Sequence, residues 1–208
     1  MNNLILDCSC GMNVYVVCND NVFSVEDKIQ NKHSDEVLKV VDDLLNKASI
    51  KINDIDNICV CVGPGSFTGI RVAISVVKGL AIGVGAKVFV LSNFDIFEVD
   101  DESYYLVLDG FSNFVYVRTV KNGMLEDECI DVDEFKTKSQ KEPFTVYVTT
   151  EKAQNLLNKY EILPRFVKNN IINAFNKKIE SKDSIALNQI LPVYLRASQA
   201  EIEREKKK

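Results

Sequence analysis

The chain has 208 residues, 46% of them hydrophobic and 26% charged, with 9 Gly, 4 Pro, 6 Cys, 1 His and no Trp. Those proportions argue against a disordered chain and suit one domain or two small lobes around a buried core. With 25 Lys plus Arg against 30 Asp plus Glu the net charge is −5, which argues against a protein that grips nucleic acid unaided, because that task needs a cationic surface to displace counterions from phosphates. The first ten residues, MNNLILDCSC, lack a basic leader, and their apolar stretch stops at Asp7, so no signal peptide is expected. The longest apolar stretch, Ile70 to Val84, is broken by Arg71, Ser75, Lys78, Gly79 and Gly83, so no membrane span is expected and the chain reads as cytoplasmic.

In chain order, Leu4 to Cys8 reads as a buried strand. Val14 to Cys18 and Val22 to Val25 read as a hairpin around Asn19-Asp20-Asn21. Ser34 suits the cap of a helix to Ala48, with apolar Val37, Leu38, Val41, Leu44, Leu45 and Ala48 at helical spacing. Ile58 to Val62 is a continuous apolar run, as for a strand covered on both faces. A glycine-rich break follows, then a long helix from Thr68 to Gly83 and a strand at Val88 to Leu91. A second unit opens near Tyr104 with a strand to Leu108, then Phe114 to Val120, the turn Asn122-Gly123, a strand at Phe144 to Thr149, and helices at Lys152 to Lys159 and Ile171 to Ile179. Each half opens with a strand ending in Asp and followed by a hairpin, so two lobes of one plan are expected: 1–101, 102–200 with its last segment returning to the first, and a charged tail over 201–208. The pairs Cys8/Cys10 and Cys59/Cys61 have C-x-C spacing, too short for the usual zinc ligand pair. All six cysteines read as small buried hydrophobes.

Most of the information lies in residues 58–83, ICVCVGPGSFTGIRVAISVVKGLAIG. Gly63 to Gly69 running into a helix N-terminus suits either a tight packing turn or an anion cradle, but the lysine of a P-loop is absent. Around the helix, Ile70, Ala73, Ile74, Val76, Val77, Leu80 and Ala81 fill an apolar arc wider than one sheet requires, beside a small-residue stripe of Ser75, Gly79 and Gly83. Periodicity alone suits equally a helix buried within its own domain and a helix with a partner.

The stretch Gly63, Pro64, Gly65, Ser66, Phe67, Thr68, Gly69, then Ile70-Arg71 and Lys78-Gly79-Leu80-Ala81, resembles the signature of the TsaB family of bacterial tRNA threonylcarbamoyladenosine biosynthesis proteins. His33-Ser34, Asp7, Asp109, Pro192 to Arg196 and Ala200 resemble it in the same order. Two positions depart from the family pattern: Cys8 stands where a small hydroxylated residue is usual, and Phe111-Ser112-Asn113 supplies no arginine after Asp109. The resemblance implies an α/β, two-lobe actin-like (RNase H-like) fold of the sugar kinase and heat-shock ATPase superfamily. It also implies a non-catalytic role in forming N6-threonylcarbamoyladenosine on tRNAs reading ANN codons. The implied partners are the catalytic TsaD subunit and TsaE, with a homodimer when alone and tRNA met only through the complex, and no contact with DNA or membrane. The implied docking residues are Val37, Val41, Leu44, Ile70, Ala73, Ile74, Ser75, Val76, Gly79, Leu80 and Gly83. ATP, magnesium or another metal would belong to the partner subunits, with no cofactor and no metal of this chain's own.

The alternative is an independent actin-like ATPase holding magnesium-nucleotide with Asp7 and Asp109, the carboxylates that end the first strand of each half. The supporting glycine loops are missing, and a strand-end Asp also serves simply to cap the next turn. One histidine, His33, excludes a paired-histidine metal motif.

Overall fold

The computed structural model describes residues 1–27 and 33–196, without the side chains of 27 and 33–35. The tail at 201–208, Ala200, and the side chains of His33 and Ser34 therefore lie outside the described residues. The chain divides into two units, Met1–Asn93 with Ile172–Tyr194, and Phe94–Ile171 with the chain from Leu195. The first boundary falls at Asn93, short of 101, because Phe94 packs with Leu106, Leu108 and Tyr116 of the second unit.

The first unit is built on a five-stranded sheet of order β3-β2-β1-β4-β5. Its strands are β1 (Asn3–Asp7), β2 (Met12–Cys18), β3 (Asn21–Asp27), β4 (Asn57–Cys61) and β5 (Lys87–Leu91). The first three form an antiparallel meander, and β4 and β5 join parallel to β1. Every residue of β1 and β4 is buried, as their unbroken apolar runs require. One face carries α1 (His33–Lys47) and α2 (Phe67–Val84), whose Val37, Val41, Leu44, Ile70, Ala73 and Val77 close over Leu4, Leu6, Ile58 and Val60. On β5, Phe89 meets Phe175 of α5 (Ile171–Glu180) edge to face, with ring centroids 5.5 Å apart. The returning segment is tied down by Ile185 N–H donating to Val88 O at 2.8 Å and Val193 N–H donating to Val62 O at 2.7 Å.

The second unit repeats the order: β10-β9-β6-β7-β8. Here β6 (Ser103–Asp109), β7 (Phe114–Lys121) and β8 (Met124–Asp131) form the meander, and α3 (Val132–Lys141), β9 (Thr145–Val148), α4 (Glu151–Lys159) and β10 (Arg165–Phe166) complete the series. Tyr105, Val107, Val115 and Val117 pack against Val132 and Phe135 of α3 and Ala153 and Leu157 of α4. Thus meander, helix, parallel strand, helix, parallel strand occurs twice. The sequence reading implies β8 only as the return arm of the hairpin at Asn122-Gly123, without bounds, and lacks α3 and β10. The first two carry few buried apolar residues and the third has only two residues. Four cysteines are buried as expected, but Cys10 is exposed and Cys129 half-buried.

Candidate functional site

The glycine-rich segment links β4 to α2 across the end of β1. Gly63 sits at φ +107°, in the region that favours glycine. A Cβ on Gly65 would lie 2.6 Å from Ser9 O, and one on Gly69 would lie 1.8 Å from Cys8 O. Both glycines therefore exist so that the α2 N-terminus can press on the loop after β1. Ser66 caps α2 by accepting from Gly69 N–H at 3.3 Å, while its own N–H donates to Ser9 O at 2.8 Å. Asn93 closes the arrangement: its backbone N–H donates to Gly63 O and its side-chain amide to Pro64 O, both at 2.8 Å, and to Ser9 Oγ. These contacts are those of a packing turn. The backbone of Cys8 and Ser9 occupies the space against the loop that an anion cradle would keep open.

Asp7 is buried and tied to the same corner. Its Oδ1 accepts from Ser9 N–H at 2.9 Å and Ser9 Oγ at 2.5 Å, and its Oδ2 accepts from Asn13 Nδ2 at 3.4 Å. Burial raises its pKa above the usual carboxylate range, and the bonds from Ser9 and Asn13 only offset part of this. Asp109 ends β6 as Asp7 ends β1, and its Oδ1 accepts from Thr150 Oγ1 at 2.6 Å. Thr150 Oγ1 in turn accepts from Ala153 N–H at 3.1 Å as the cap of α4. Each carboxylate thus holds a hydroxyl beside the start of the following β–α corner. Among the described residues no three His, Cys, Asp or Glu side chains gather to hold a metal.

The expected docking residues separate into two groups. Val37, Val41, Leu44, Ile70, Ala73 and Ile74 are buried in the first unit's own core, so their assignment to a partner surface is corrected: they are the side of α1 and α2 that seats on the sheet. Ser75, Gly79 and Gly83 are exposed, and Val76 and Leu80 are half-buried. Sequence reasoning missed Ile82, 73% exposed, which extends this outer face. A Cβ built on Gly79 or Gly83 meets nothing within 4 Å, so neither glycine is required by its own chain. By length and composition alone, α2 is the one helix among the described residues long and apolar enough to cross a membrane. Its Gly69, Ile70, Ala73, Ile74, Val77 and Ala81 are nonetheless buried in the unit's core.

At the start of α2, Phe67 stacks on Tyr194, with centroids 4.2 Å apart and planes 13° apart. Arg71 Nε donates to Tyr194 Oη at 2.7 Å. In the second unit, Arg196 lies 3.4 Å from the centroid of Phe111, in the stretch after Asp109 where the family's usual arginine is absent. Neither aromatic–arginine contact was visible in the sequence, because the partners lie more than a hundred or some eighty positions apart in the chain. Long-range pairing of this kind leaves no periodic signal.

Two units of one meander-and-crossover plan define the actin-like class of two-lobe α/β proteins. A protein from Pseudomonas aeruginosa, described as uncharacterized with similarity to peptidase YEAZ, shares this fold with a TM-score of 0.73 over 94% of this chain and 99% of that one, at 22% identity. The family model described as TsaD, tRNA N6-adenosine threonylcarbamoyltransferase, matches residues 25–131, just over half of the chain. Proteins named tRNA threonylcarbamoyladenosine biosynthesis protein TsaB are similar at 30% identity in Haemophilus influenzae, over 46% of this chain, and at 27% in Bacillus subtilis, over 50%. The chain belongs to this family, as a TsaB-family protein. The matched stretch spans 43% of the Haemophilus relative and 48% of the Bacillus one, less than half the length of each.

Proposed function

We propose that this chain is an accessory subunit in the synthesis of tRNA threonylcarbamoyladenosine, acting by docking on the TsaD threonylcarbamoyltransferase rather than by chemistry of its own. The observation that carries the reading is the outer flank of α2. There Ile82, Val76 and Leu80 stand beside Ser75, Gly79 and Gly83, and the two glycines add nothing to their own unit. Glycine inside a helix costs about 1 kcal/mol relative to alanine, so two of them on an open face are a cost that a closely approaching helix offsets. Burying the flank would then contribute about 25 cal/mol per Å² of apolar area, less the cost of association. TsaE joins through TsaD, tRNA is met through the complex, and the nucleotide and metal are held by the partner subunits.

What further supports a non-catalytic role is the use made of Asp7 and Asp109. Each is committed to a hydroxyl that pins a β–α corner, and the corner beside Asp7 is filled by the protein's own backbone. The deciding experiment is reconstitution of the tRNA modification with this chain omitted, wild type, or carrying Gly79→Leu. Omission and Gly79→Leu both abolish product, and Gly79→Leu no longer co-purifies with TsaD while its circular dichroism spectrum is unchanged. Magnesium-dependent ATP turnover by the isolated chain, lost on Asp7→Asn, would instead establish the ATPase alternative.

A further inference from the structure

We infer that Arg71 selects the occupant of the α2 flank by charge, so that the docking helix of the partner presents a carboxylate to its guanidinium. This deepens, and rests on, the docking reading above. Helix α2 carries two cations, Arg71 and Lys78, and no acidic residue. Lys78 is committed, its Nζ donating to Ile190 O at 3.1 Å. Arg71 is exposed, and among the described residues no carboxylate lies within ion-pair distance of it. It is nonetheless held in place. Its Nε is bonded to Tyr194 Oη, and its guanidinium lies 5.9 Å from the Phe67 centroid and 5.6 Å from that of Tyr194. It borders a groove of about 470 Å³ whose other walls are Phe67, Thr68, Val72, Ser75 and Val76.

An arginine fixed through one nitrogen and lying over two rings at cation–π distance has already lost much of its rotamer freedom, so binding through its remaining donors costs less ordering. Its fork matches a carboxylate in two parallel hydrogen bonds. Covering the apolar groove without supplying that acid would desolvate a cation with no counter-charge, which is strongly unfavourable. The flank therefore admits a helix whose apolar side chains fit the groove and the glycine stripe and which places Asp or Glu opposite Arg71. It rejects one that places Lys or Arg there. A second copy pairing α2 against α2 offers no such acid, since α2 has none.

The test is the affinity of the full chain for TsaD, by interferometry at low and high salt, for wild type, Arg71→Gln, Arg71→Glu and Ile82→Asp. Arg71→Glu is expected to weaken binding by about thirtyfold or more, and Arg71→Gln to weaken it less while flattening its salt dependence. An Asp or Glu to Lys change on TsaD should restore binding to Arg71→Glu. If Arg71→Gln and Arg71→Glu bind like wild type while Ile82→Asp does not, the flank docks but arginine does not select its occupant, and the inference is overturned. If Ile82→Asp also binds like wild type, the docking reading itself fails. Should Arg71→Glu not fold, the salt dependence of Arg71→Gln decides: a slope equal to that of wild type overturns the inference. Sedimentation showing that Arg71→Glu disrupts only self-association, with TsaD binding intact, overturns it as well.

Discussion

At the scale of single residues, the corner between β1 and α2 leaves no slack. The Cβ of Gly69→Ala would fall on Cys8 O, a backbone atom that moves only if β1 or α2 moves. That substitution is expected to cost about 3 kcal/mol or more, read as a lower urea midpoint, whereas Gly79→Ala meets nothing. Asp7 adds a pH signature. Its folded pKa is raised by burial, so the folded state holds the proton more tightly than the unfolded chain does. Its contribution to stability is therefore present below the unfolded carboxylate value of about 3.9 and is lost as pH rises through the folded value. Wild type should lose stability relative to Asp7→Asn across that window as pH increases, and a difference independent of pH would contradict the assignment. Legibility at this scale was uneven. Asp7 and the glycines stood out as residue types at strand and helix ends, but Asn93, which joins Ser9, Gly63 and Pro64, lies far along the chain and carries no local pattern.

At the scale of elements, strong periodicity was decisive where it existed and silent elsewhere. α1 and α2 were legible because they carry apolar residues at three- and four-residue spacing, and β1 and β4 because strands covered on both faces carry a continuous apolar run, Leu4 to Leu6 and Ile58 to Cys61. α3 buries only Val132 and Phe135, so its polar sequence carries no helix signal, and β8 runs along a sheet edge as MLEDECID, marked in the sequence only by the turn before it. The wide arc of α2 was legible as an excess, but not which part of it faced the sheet. That depends on the helix's rotation against β1 and β4, which only packing sets. The three α2 residues that turned inward, Ile70, Ala73 and Ile74, were expected outward for this reason. The outer glycines give a direct check. Gly79→Ala and Gly83→Ala should each stabilise the isolated chain by about 0.5–1 kcal/mol by removing a helix-interior glycine, raising the thermal midpoint, while weakening association with TsaD. Stabilisation without weaker association would remove the close-approach role of the stripe.

At the scale of the whole molecule, both units use the same order of meander, helix, strand, helix and strand, yet among the described residues only the first presents an apolar helical flank of this length. Amide exchange measured with and without TsaD should therefore slow along α2 and leave α3 and α4 unchanged. Protection confined to the second unit would place the contact elsewhere.

The duplicated plan also has a geometric outcome. α2 has 18 residues and α4, at the same step of the series, has 9. At 1.5 Å per residue these are rods of about 27 and 14 Å. The strands preceding them, five residues in β4 and four in β9, run about 17 and 13 Å. The first rod is thus about twice the second, and it stays seated to its end, since Val77 and Ala81 are buried in the core while Ile82 and Gly83 on its other side are exposed. One half of the duplicate keeps a short rod at this step, and the other carries one of double length whose added turns widen the outward side as much as the seated one.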